Sequence, residues 1–174
     1  GEKARQWFKE HGVTNYKLLE VPWEGFRKTR DRAIAESDGE YVMKMDLDEE
    51  MVNAANLRRI LESARPMAVD TYNVDGGTRF VFPRAWHRSA GAHWVGEIHE
   101  VIGFSNIKDR TQRLLLNENT CYVIHHSEKE HDPELERTCA LLREMLDKNP
   151  SNARAMFYLA RETWRLGYFG EAEY

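Results

Sequence analysis

An apolar run that breaks off into acid narrows the possible folds of this chain more than any other feature: EYVMKMD (40–46) continues directly as Leu47-Asp48-Glu49. The run reads as a short strand whose carboxyl end is charged. Before it come a helix pattern over 2–11 (EKARQWFKEH) closed by Gly12, and a strand pattern over 16–21 (YKLLEV) stopped by Pro22. A second helix pattern (23–37) puts Phe26, Ala33 and Ile34 near one face, and Asp38-Gly39 makes a turn. After it, Asn53 is placed to cap a helix running to about Ala64. MAVDTYNV (67–74) and TRFVFPR (78–84) flank Asp75-Gly76-Gly77 as a hairpin, and EIHEVI (97–102) and CYVIHH (121–126) are further strand patterns. This alternation predicts an α/β fold with a mostly parallel sheet, helices on both faces and antiparallel additions from the later strands.

From Pro133 only helix patterns remain. Residues 134–148 set Leu135, Cys139, Leu142, Met145 and Leu146 near one face, and Asn149-Pro150 ends that helix. The polar stretch 128–133 (EKEHDP) marks the boundary, which predicts an α/β unit over 1–130 and a helical unit over 131–174. Helix patterns at both ends predict a piece of a longer protein.

A net charge of −4 argues against nucleic acid as the main partner. No apolar run approaches the ~20 residues that span a bilayer, and there is no signal-peptide pattern. Two cysteines, Cys121 and Cys139, make neither a disulfide framework nor a zinc site, so a reducing, cytoplasmic setting is expected.

Three features carry chemistry. In open α/β sheets ligands bind outside the carboxyl ends of strands. There, Asp46 and Asp48, two residues apart on extended backbone, can reach one side and suit a hard divalent cation that also holds phosphate oxygens. The plain alternative is a solvated strand end, since Asp-x-Asp is a common pattern. HWVGEIHE (93–100) is not a zinc-protease helix, because Gly103 stands where a second histidine would be needed. His125-His126 follow an apolar strand, and a neutral imidazole there tolerates Mn²⁺; two surface histidines are the alternative.

These blocks resemble, in order, glycosyltransferase family 2 of the GT-A type. Residues 22–51 match its Trp-x-x-Phe segment, helix, apolar strand and Asp-x-Asp-Glu; Trp23, Phe26 and Arg30 fit, and Asp31 stands where the family usually has Asn. Arg84 followed by Trp94-x-Gly96-x-Ile98-His99-Glu100 resembles a later block, and Val123-Ile124-His125 a third, with His126 and Ser127 replacing an aromatic residue and a Gly. The resemblance implies a partial Rossmann-like GT-A domain. In it Asp46, Asp48 and His125 would bind Mn²⁺ or Mg²⁺, and Asp46, Asp48 and Arg30 would hold the diphosphate of a nucleotide-sugar donor. Glu100 would be the general base, ahead of Glu97, with Trp94 and His99 near substrate. Trp94 could stack on a sugar ring, although a tryptophan is more often simply packed.

Residues 152–174 resemble a TPR repeat, with Ala155, Tyr158, Leu159 and Ala160 followed by Leu166-Gly167 and Glu171-Ala172. The resemblance implies TPR-like helices and a possible protein partner, although fewer than three repeats make no solenoid. The expected function is metal-dependent, inverting sugar transfer from a nucleotide-sugar donor to a glycan, lipid-linked or protein acceptor. Without the opening nucleoside-binding strand, these residues alone are expected to bind donor weakly. Two alternatives stand beside it. One is a haloacid-dehalogenase-like phosphatase, against which Glu50 counts in place of the usual Thr or Val. The other is a non-catalytic TPR interaction module.

Overall fold

In chain order the computed structural model contains α1 (Glu2–Glu10), α2 (Phe26–Glu36), β1 (Tyr41–Met43), β2 (Glu49–Val52), α3 (Ala54–Ala64), β3 (Ala68–Asp75), β4 (Thr78–His87), β5 (Ala92–Val95), β6 (Val101–Phe104), β7 (Arg113–Leu115), β8 (Tyr122–His125), α4 (Pro133–Lys148) and α5 (Ala153–Arg165). It describes residues 2–22, 24–96, 100–126 and 133–168. The protein is mixed α/β.

The main sheet runs β1-β4-β3-β8-β2, with β7 also on β3. β8 pairs with Tyr72–Asp75 and β7 with Ala68–Asp70, so the two follow one another along the same edge of β3, both parallel to it. The β1/β4, β3/β4 and β2/β8 pairs are antiparallel. The sheet is therefore mixed, and the mostly parallel arrangement expected from the alternation is corrected. Ala68–Asp75 and Thr78–His87 form the hairpin expected over 67–84, and a tight turn can only join antiparallel neighbours. Residues 16–21 form no strand. Their chain is instead fastened to helices: Phe8 stacks on Tyr16 at 4.2 Å, Arg5 meets Glu20 at 3.0 Å, and Lys17 pairs with Glu36. A strand-like pattern becomes a strand only where a ladder partner exists to satisfy its backbone groups.

Period-two alternation sorts the sheet's side chains onto two cores. Val69 and Ala85, opposite each other on β3 and β4, face α3 and pack with Leu57, Leu116 and Cys121. Their neighbours Ala68 and Trp86 face the other way, toward Ile34 of α2 and Trp94 and Ile102 of the separate β5–β6 pair. Trp86 is 1% exposed, so this second core closes around a large aromatic. Asn53 precedes α3 as expected, but its side chain makes no cap bond; its own backbone is left-handed at φ 59°. Asparagine is one of the few non-glycine residues that tolerates that region.

α4 and α5 form a helical hairpin with their own core of Leu142 and Ala155, flanked by Met145, Leu146, Tyr158 and Leu159. The Asn152 side chain accepts the Ala155 N–H at 3.1 Å and so caps α5. Gly167 supplies the left-handed turn after it, at φ 80°.

Candidate functional site

The acidic segment is a tight reversal between β1 and β2, with its turn at Leu47-Asp48. Two bonds across it set its shape: Asp46 N–H donates to Glu49 Oε2 at 2.7 Å, and Glu49 N–H donates to Asp46 O at 3.2 Å. Glu49 points inward and is nearly buried. Arg84 reaches it from β4 with Nη1 2.7 Å from Oε2 and Nη2 3.2 Å from Oε1. The same guanidinium donates to Lys44 O at 2.6 Å and Asn73 Oδ1 at 3.0 Å.

A β-bulge aims Arg84 this way. The β3/β4 register steps from Val69↔Ala85 to Asp70↔Pro83 and passes over Arg84. An extra residue in one strand bends it and redirects its side chain. Burial alone would raise the Glu49 pKa. The bonds from Arg84 and the Asp46 amide, with the charges of Arg84 and Lys44, outweigh burial and hold it at about 2.

Glu49 thus turns inward while Asp46 and Asp48 remain about half exposed, at 42% and 51%. Asp46 bonds with Lys44, and Arg30 Nη2 lies 3.9 Å from its Oδ1. Asp48 meets His125 at the end of β8, with Nε2 2.8 Å from Oδ2. The backbones are joined there too, because His126 N–H donates to Asp48 O at 2.8 Å. Burial would lower the His125 pKa, but the Asp48 and Asp75 carboxylates overcome this and raise it above its ordinary value. His126 pairs separately with Glu50, at 3.0 Å.

Arg30, on α2, links this turn to the third block of candidates. Its Nη1 donates to Glu100 Oε2 at 3.1 Å, and its guanidinium lies 4.7 Å from the Trp94 ring centroid. Glu100 is nearly buried, and among the described residues its second oxygen, Oε1, has no hydrogen-bond partner. Asp31, one residue on from Arg30, accepts the Trp94 backbone N–H at 2.8 Å. An amide oxygen would accept the same bond, so aspartate here does the positional work an asparagine could do.

Two chains of contact result. Glu100, Arg30 and Asp46 form one, and Asp48 with His125 the other, joined through the Asp46–Asp48 turn. Trp94 is 3% exposed, with Arg30 over its ring. His99, Glu97 and Trp23 lie outside the described residues. The donor types around the turn, two carboxylates and an imidazole, suit Mn²⁺ or Mg²⁺. As the side chains stand, Asp46 is turned to Lys44 and Asp48 to His125. Among the described residues no three His, Cys, Asp or Glu side chains are grouped to hold a metal ion.

Sequence reasoning passed over Glu49, the fit of Arg84 to it, and Asp75. Pro83 was a usable signal: within a strand, proline marks an edge or a bulge, and the residue beside it is then free to turn inward. Asp75 carried no signal beyond its place before two glycines. Comparison with protein-family models and with curated proteins found no match.

Proposed function

We propose that the chain carries the metal- and acceptor-side part of an inverting glycosyltransferase of the GT-A type, with a TPR-like helical hairpin after it. The observation that carries this reading is the meeting of three distant segments at one acidic turn. Arg30 bridges Glu100 and Asp46, and His125, 77 positions beyond Asp48, bonds to it. A solvated strand end would not gather a buried carboxylate, a bridging arginine and a histidine from three separate segments.

The chemistry follows from the groups present. Glu100 accepts the proton of an acceptor hydroxyl as that oxygen attacks the anomeric carbon, while the bond from that carbon to the donor diphosphate breaks. Arg30 donates to one Glu100 oxygen, and the other, without a hydrogen-bond partner among the described residues, is placed to take the proton. The Arg30 guanidinium, beside Asp46, can also donate to oxygens of the departing diphosphate. Asp46, Asp48 and His125 would hold Mn²⁺ or Mg²⁺, which when bound neutralises charge on that leaving group. With Arg30 stacked on it, Trp94 serves as the backing of the arginine.

No helix among the described residues is long and apolar enough to cross a membrane. The hairpin's Phe157 and Trp164 are more than half exposed, and a partner of the whole protein would dock there. A screen for nucleotide release from nucleotide-sugar donors, run on the protein with Mn²⁺, tests the function. Release from one donor supports it. Trapping of an aspartyl-phosphate at Asp46 would replace it with a phosphatase. Neither, together with no Mn²⁺ binding, would leave a non-catalytic interaction module.

A further inference from the structure

His125 lies between two carboxylates. Its Nε2 faces Asp48 at 2.8 Å, and its Nδ1 faces Asp75 Oδ2 at 3.5 Å. We infer that Asp75 is the positioning residue of the proposed cation site: it takes the Nδ1 side of His125 and so keeps Nε2 turned toward Asp48. The inference rests on the metal site proposed above and assigns Asp75 a part that is not a ligand's.

The backbone builds this arrangement. β3 and β8 run parallel with Asp75 and His125 as direct partners, so their side chains rise from the same face of neighbouring strands. Asp75 is the last residue of β3, where the chain turns through Gly76 and Gly77, both at positive φ (54° and 114°). Strand pairing therefore fixes the carboxylate on one side, and the turn frees its tip from the ladder beyond.

The chemistry explains why a carboxylate is useful there. An imidazole offers a lone pair from only one nitrogen while its other nitrogen carries hydrogen. The partner of that N–H fixes both the tautomer and the ring plane. An anionic acceptor also raises the basicity of the nitrogen that faces the cation. Asp48 and Asp75 thus have different parts, although both touch the same ring: Asp48 lies on the side of the acidic turn, and Asp75 lies behind.

Two measurements on the 174-residue chain test this. The first needs no metal. With Asp48→Ala, at a pH where His125 is neutral, ¹⁵N NMR should find the proton on Nδ1. Adding Asp75→Ala should move it to Nε2, the form solution imidazoles prefer. The second is Mn²⁺ titration followed by electron paramagnetic resonance. Asp75→Ala should weaken binding by ~10–100-fold, the usual effect of removing such a partner. Asp75→Asn should restore most of it, because its amide oxygen still accepts. If Asp75→Ala fails to fold, Asp75→Ser serves for both measurements. An unchanged tautomer with Mn²⁺ affinity within about twofold overturns the inference. Equal and complete loss in the Ala and Asn variants also overturns it, since that is how a direct ligand behaves. If the parent chain binds no Mn²⁺, the proposed metal site fails, and the tautomer alone then decides for or against Asp75.

Discussion

Arg84 holds Glu49 at two points inside the protein, Nη1 to Oε2 at 2.7 Å and Nη2 to Oε1 at 3.2 Å, with the arginine side chain wholly out of solvent. Each also touches the other's surroundings: Arg84 donates to Lys44 O, and Glu49 accepts from the Asp46 amide. The pair therefore fastens the base of the turn that displays Asp46 and Asp48.

Removing either partner strands a buried charge. Arg84→Met should destabilise the chain by about 3–5 kcal/mol, the usual cost of breaking such a pair from one side. Urea unfolding followed by circular dichroism measures this. A loss below about 1 kcal/mol would mean that the pair is dispensable to the turn.

The same pair makes stability acid-sensitive. Glu49 ordinarily titrates near 4.5 and is held at about 2 in the folded chain. A depressed carboxylate stabilises the fold above its unfolded value, and that contribution disappears as pH falls through the folded value. Stability should decline between about pH 4.5 and 2, by roughly 3 kcal/mol from this group. In Glu49→Gln that part of the decline should vanish, as read from melts across the range.

Asp48 and His125 belong to one contact, and His126 to another with Glu50. Asp48→Ala and His125→Ala should each weaken Mn²⁺ binding by more than about tenfold, while His126→Ala changes it little, since neighbouring strand residues point to opposite faces. Calorimetric titration of the three variants gives the order. A larger loss in His126→Ala would reverse the assignment.

Among the described residues, Arg30 bonds Glu100 through one oxygen, and the other oxygen has no hydrogen-bond partner. Glu100→Gln should keep donor binding near normal and lower transfer about a hundredfold or more, the scale of general-base catalysis. Separate measurement of donor affinity and single-turnover rate distinguishes this from a packing defect, which would lower both.

Much of the secondary structure was legible because it is local. The hairpin over 67–87 was written in two strand patterns around Asp75-Gly76-Gly77. α3 was written in Asn53 before it, and the end of α4 in Asn149-Pro150. Residues 16–21 misled because a strand-like pattern does not say whether a sheet edge is at hand. Glu49 misled in another way. It reads as one more acid in an acidic run, yet its burial is decided by an arginine 35 positions away.

The sequence by itself determined the helices, the hairpin, the acidic run after an apolar strand, and the residue types that make Asp46, Asp48, Glu100 and His125 candidates; it read that run as extended backbone, where the structure makes a turn at Leu47-Asp48. These follow from periodicity and turn chemistry, which act over a few residues. Only the tertiary structure decided the mixed strand order, which acid of the turn is buried, and which histidine faces Asp48. Those outcomes depend on register between strands and on ion pairs between segments 35 to 77 positions apart. A one-residue change of register would send each of those side chains to the opposite face.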